Sequence, residues 1–122
     1  MKTLKNWELN QLAKRYSIVC EVTKKNGPCP IYNIGDKIVI DPVEGDPVMS
    51  AINPEKSAPV CIRILGTPMM SYCLLFQTRT EEEMENDGLT QKGTYWFKCP
   101  EPGLPYTPRG WVQFKMYREE VV

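Results

Sequence analysis

Ser17-Ile18-Val19-Cys20-Glu21-Val22-Thr23 alternates without a break: Ile18, Cys20 and Val22 fall on one side, Ser17, Val19, Glu21 and Thr23 on the other. A period of two is the signature of a half-buried strand, because successive side chains of an extended chain point to opposite faces. Downstream, Lys24-Lys25-Asn26-Gly27-Pro28 has the composition of a turn. It leads into Cys29-Pro30-Ile31-Tyr32-Asn33-Ile34-Gly35-Asp36, a stiff loop closed by a Gly-Asp turn. Lys37 to Asp41 then reads as a second strand, with Ile38 and Ile40 on one face and Val39 on the other.

From Asp41 to Pro59 the prolines at 42, 47, 54 and 59 lack the N–H that a ladder needs, so this stretch is expected to be an irregular connection and not part of a sheet. Ser57 is a candidate N-cap with Pro59 just inside the first turn, predicting a short helix over Val60 to Leu65 stopped by Gly66. Met69 to Phe76 is almost wholly apolar and reads as a buried helix or a buried strand. The acidic run Glu81-Glu82-Glu83, Glu85 and Asp87 reads as a solvated loop or helix face. Thr94 to Lys98 and Trp111 to Tyr117 read as strands, the second setting Val112, Phe114 and Met116 against Trp111, Gln113, Lys115 and Tyr117. Between them, Cys99 to Gly110 holds four prolines and two glycines and is expected to be an extended loop. Before the first strand, Thr3 to Arg15 spaces Leu4, Trp7 and Leu12 as an amphipathic helix would. The expected organisation is therefore a docking helix over 1–15 and one domain over 16–122. Its expected class is α+β: a small four-stranded, mostly antiparallel sheet with two or three short helices and proline-rich loops.

The 122 residues balance 15 Lys and Arg against 15 Asp and Glu, which argues against nucleic acid or an anionic membrane as partner. No stretch approaches a membrane span, and residues 1–16 do not read as a signal peptide. Five cysteines without an export signal suit a reducing, cytoplasmic setting. The chain has no histidine, which removes Ser-His-Asp and Cys-His catalysis and every His-containing zinc site. A metal would have to be held by sulfur or oxygen.

The cysteines stand at 20, 29, 61, 73 and 99, with no Cys-x-x-Cys pair. Cys29-Pro30 and Cys99-Pro100 put two of them in rigid turns, and Cys61 stands near an expected helix start. These three are the candidate ligands of a structural zinc, with Cys73 or Cys20 as fourth. Cys20, on the apolar side of its strand, also reads as a small core residue. The competing expectation is that all five are buried, unreactive thiols.

Gly27-Pro28-Cys29-Pro30, Gly35 to Ile40, Cys61, Cys99-Pro100 with Gly103, and Val112-Gln113-Phe114 together resemble an uncharacterised family of small bacterial and archaeal domains with Cys-Pro turns. The resemblance spans Tyr16 to Arg118. Cys29, Cys61 and Cys99 match its pattern, Cys20 and Cys73 do not, and the segments Glu81 to Lys92 and Glu101 to Pro108 depart from it. Size and the N-terminal helix are similar to the small β subunit of acetophenone carboxylase-type complexes, relatives of hydantoinases and oxoprolinases. That resemblance implies a non-catalytic accessory subunit whose partners are larger subunits of an ATP-dependent ketone carboxylase, a ligase. The alternatives are a stand-alone thiol or redox enzyme and a small-molecule or redox-sensing binding domain.

Overall fold

A computed structural model describes residues 16–44, 49–101 and 106–120. The docking helix expected over 1–15 lies outside them. Five strands, β1 (Tyr16–Asn26), β2 (Lys37–Pro42), β3 (Ser50–Ile52), β4 (Tyr95–Lys98) and β5 (Trp111–Glu120), form one antiparallel sheet in the order β3-β2-β1-β5-β4. Two short α-helices, α1 (Met69–Thr78) and α2 (Glu81–Asn86), follow one turn of 3-10 helix at Ile62–Gly66. Among the described residues the fold is therefore mostly β, with five strands and two helices. This corrects the expected four-stranded α+β arrangement with two or three helices.

The correction comes from two places. The proline-marked connection contains β3, which among the described residues is an edge strand paired with β2 alone, through Ile40↔Ile52, Asp41↔Ala51 and Pro42↔Ser50. An edge needs ladder bonds on one side only, so a three-residue strand fits between flanking prolines. The chain keeps to the edge of β2 beyond β3: Asn53 N–H donates to Val39 O (2.8 Å) and Ala58 N–H to Lys37 O (2.8 Å). Ser57 does not cap a helix. Its hydroxyl accepts the Val39 N–H (2.8 Å), standing in for a strand carbonyl. The second place is Val60 to Leu65, where the expected helix shrinks to the 3-10 turn. Cys61 is its N-cap residue, and no side chain caps it.

β1 also runs into the expected turn, as far as Asn26. A bulge between Val22 and Lys24 changes its register and lets Asn26 pair with Trp111. Gly27 takes over the turn with φ +89°. Met69 to Phe76 resolves as helix. Met69, Cys73 and Phe76 are buried on the sheet, and Arg118 Nη1 donates to the Phe76 and Arg79 carbonyls at the helix's C-terminal end (3.2 and 2.8 Å). The acidic run forms α2 because Thr80 and Glu83 make a reciprocal capping box and three glutamates sit in the first turn, where the helix dipole favours them. Met84 anchors that helix in the core.

The core lies between one face of the sheet and these helices. Ile18, Cys20 and Val22 of β1, Ile38 of β2 and Val112, Phe114 and Met116 of β5 are all at most 1% exposed. Each large side chain so buried contributes about 1.5–3 kcal/mol. A row of rings crosses this face. Tyr72 meets Tyr95 edge-on, Tyr95 and Phe97 stack, Phe97 stacks on Phe114, and Tyr32 meets Phe114 edge-on at 5.3 Å. On the reverse face Trp96 is half exposed, and Lys24 and Lys98 lie over the Trp111 ring at 5.8 and 5.1 Å.

Two contacts generate predictions. A Cβ on Gly110 would stand 1.7 Å from the Asn26 carbonyl oxygen and 2.7 Å from the Gly27 carbonyl carbon. Gly110→Ala is expected to cost about 3 kcal/mol in urea unfolding, whereas Gly66→Ala, with open space around it, is expected to stay within about 0.5 kcal/mol of wild type. Asp41 joins β2 to β1 and the edge segment by accepting from Ser17 Oγ and from Asn53 Nδ2 (2.8 Å), with Lys56 Nζ at 3.5 Å. Burial alone would raise its pKa; the bonds from Ser17 and Asn53 and the Lys56 charge outweigh that and hold it below the ordinary 3.8. A carboxyl depressed by folding stabilises above its unfolded pKa, and this is lost as pH falls through the folded value. The urea midpoints of wild type and Asp41→Asn should thus differ at neutral pH and converge below about pH 3.8.

Candidate functional site

At the end of the sheet where β1 stops and β5 starts, a cleft of about 40 Å³ opens between the two Cys-Pro turns and the 3-10 turn. Cys29, Cys61 and Cys99 all line it, together with Tyr32, Ile64 and Val112 as apolar walls and Arg63, Glu101 and Arg109 as charged groups. Three cysteines from distant segments thus border one small space.

Local bonding explains how they get there. Gly110 N–H donates to Pro28 O (2.7 Å), tying the loop before β5 to the turn that carries Cys29. Cys99 follows β4, where its N–H donates to Val112 O (3.0 Å) and its sulfur accepts the Val112 N–H at 3.3 Å. Cys61 donates its N–H to the Tyr32 hydroxyl (2.8 Å), which docks the 3-10 turn on the Cys29 loop. The loop itself is returned to β1 by Gly35 N–H to Val22 O and Val22 N–H to Asp36 O. Burial raises the Tyr32 pKa, so the phenol stays protonated.

Cys29, Cys61 and Cys99 are partly exposed, while Cys20 and Cys73 are buried. Cys20 and Cys73 form a separate pair across the β1–α1 contact. The hydrogen bond with Cys73 and burial push the Cys20 thiol far up, keeping it neutral. Neither lines the cleft. The charged groups of the cleft were not foreseen. Glu101, 9% exposed, pairs with Arg63 Nη1 through Oε2, joining Cys61-Ile62-Arg63 to Cys99-Pro100-Glu101. Nothing in a proline-rich loop marks one glutamate for burial, and Tyr32 carries no signal beyond its place three residues after Cys29.

Three thiols and a carboxylate are donor types of a zinc site, which wants four ligands in a tetrahedron with sulfur at about 2.3 Å. As arranged here, no group of three or more Cys, Asp or Glu side chains among the described residues stands close enough to hold an ion. The donors line the walls of the cleft without closing on a point. No helix among the described residues is long and apolar enough to cross a membrane. Compared with protein-family models, curated proteins and solved structures, the chain finds no match.

Exposure divides the cysteines three to two. With excess iodoacetamide under native conditions, mass spectrometry should record rapid labelling of Cys29, Cys61 and Cys99. Cys20 and Cys73 should label only as the fold opens. Equal rates at all five would contradict this division.

Proposed function

We propose that this chain is a non-catalytic binding module, and that the cleft between its Cys-Pro turns takes a thiophilic divalent cation, zinc by its donor chemistry. The observation that carries the reading is the gathering of Cys29, Cys61 and Cys99 at one cleft from three separate segments. Scattered core thiols have no reason to share a cleft, and a reduced cysteine needs no other cysteine near it to pack well. The bond from Val112 N–H to Cys99 Sγ adds support, since it fixes the position of that sulfur beside the cleft. Binding would draw the three sulfurs inward, with each thiol releasing its proton to solvent.

The wider role we propose is that of a small subunit in a larger enzyme complex, with an ATP-dependent ketone carboxylase as the partner class that the resemblance implies. Its support in the fold is the exposure of Ile62 and Leu65 on the 3-10 turn and of Met70 at the start of α1, which are 80%, 51% and 48% exposed. Such side chains in solvent favour a covering protein surface. A native extract in which the chain migrates only by itself would refute the subunit role.

One observation favours a second reading, a redox-sensing or small-molecule binding domain: the thiols do not converge as they stand. A melting shift with oxidised glutathione and none with zinc would decide for it.

The metal reading predicts about one zinc per chain in protein purified without chelator, measured by elemental analysis. Cys29→Ser, Cys61→Ser and Cys99→Ser should each weaken zinc binding by about 100-fold or more, beyond the ~10–100-fold typical of outer-shell changes. Cys73→Ala should keep the stoichiometry. A folded sample that takes up no zinc rules the metal out.

A further inference from the structure

We propose that the reverse face of the sheet, over β4, β5 and the end of β1, binds single-stranded nucleic acid, with Trp96 as a stacking platform for a base and Lys24, Lys98 and Lys115 as contacts to phosphates. None of these side chains lines the cleft, so the surface is independent of the metal reading.

Strand register places the groups. Tyr95 and Phe97 belong to the aromatic row of the core, so Trp96 between them lies on the opposite face. Trp96 pairs with Lys115, while Gln113 pairs with Lys98 on one side and Lys24 on the other. Three strands thus each bring one lysine to the same side of the sheet. Every one of the three lies over a ring: Lys24 and Lys98 over Trp111 at 5.8 and 5.1 Å, Lys115 over Tyr117 at 5.3 Å. A lysine stem laid along a ring has already lost much of its freedom, so less is lost when its ammonium meets a partner. Trp96 is 49% exposed, whereas Val19 and Val39, further along the same face, are buried. Exposure is a property of this end of the face.

Charge and ring together select the partner. Among these positions the one carboxylate is Glu21, and it accepts the Tyr117 hydroxyl (2.8 Å). None of the ion pairs among the described residues uses Lys24, Lys98 or Lys115. Like charges set close on a sheet repel one another, and a polyanion relieves that cost. A single strand of nucleic acid supplies both complements: a row of phosphates, and bases whose flat faces stack on an aromatic ring whatever their identity. In a duplex the bases are stacked on each other and leave no such face for Trp96. The balance of 15 basic and 15 acidic side chains, which argues against this partner, averages two unlike layers. Glu81, Glu82, Glu83 and Glu85 lie on α2, and Asp87 caps its end, in the helical layer on the core side of the sheet.

The test is fluorescence anisotropy of a labelled oligothymidylate of about 12 nucleotides, within the usual site size for a single strand, titrated with the full chain at several salt concentrations. Wild type is expected to bind with log K falling against log salt at a slope of about −2, from three lysine contacts at about −0.7 each. Lys98→Gln should flatten the slope to about −1.4. Trp96→Ala should weaken binding by about 10-fold, and Trp96→Tyr should recover most of it. Lys56→Gln removes an equal charge beside Asp41 and should leave affinity unchanged. Wild type that does not bind at low salt overturns the proposal. If heparin, a polyanion without bases, binds as tightly as the oligonucleotide and Trp96→Ala binds both as wild type does, the face takes an acidic partner of another class and the nucleic-acid assignment is wrong. If Lys56→Gln weakens binding as much as Lys98→Gln does, the attraction belongs to the chain as a whole and the face is not the site. Should Trp96→Ala fail to fold, as judged by circular dichroism, an unchanged salt slope in folded Lys98→Gln overturns the proposal equally.

Discussion

The approach of Gly110 to the end of β1 is the contact on which the functional end of the molecule depends. The backbone at Gly110 lies so close to Asn26 and Gly27 that no side chain fits, and its N–H is bonded to Pro28 O. Glycine is the residue that permits such close approach of two backbones. The contact sets where β5 begins against where β1 stops, fixing the Asn26↔Trp111 end of the longest ladder in the sheet. It also brings the turn bearing Cys29 beside the loop leading back from Cys99, so one backbone contact governs both the sheet and the cleft.

Burial sorts the five cysteines into two chemistries. Cys20 and Cys73 serve as small apolar residues where a strand meets a helix, and Cys20 is held as a neutral thiol by its neighbour and by the absence of water. The other three sit where the core opens to solvent, in segments tied by backbone bonds and by the Tyr32 hydroxyl. Tyr32 belongs to both regions: its ring ends the aromatic row that crosses the core, and its oxygen holds Cys61. Changes in core packing at Phe114 therefore reach the cleft through one ring.

How much was legible differs by element. Alternation marks β1, β2 and β5 because each presents one face to the core and carries more polar side chains on the other, where Val19 and Val39 are nonetheless buried; Val112, Phe114 and Met116 are buried as that pattern requires. β3 was hidden because edge strands tolerate flanking prolines and Ser57 contributes a side chain where a ladder would use backbone. The bulge near Thr23 was hidden because pairing with a strand some ninety residues away leaves no local mark. That Cys29-Pro30 and Cys99-Pro100 lie outside the strands could be read from proline. That Cys61 reaches the same cleft, and that Glu101 is buried beside it, depends on long-range contacts that neither spacing nor composition encodes.

The central pairing of β1 with β5 has a mechanical consequence. Tyr16 pairs with Glu120 at one end of this ladder and Asn26 with Trp111 at the other, beside the cleft. Tension applied between Tyr16 and Glu120 would load the hydrogen bonds one after another, as a zipper opens, and not all together in shear. The ladder is about 30 Å long at the usual rise per residue. Peeling would have to travel nearly that whole length before the thiol cleft felt the load, so the far end of the zipper is the protected one.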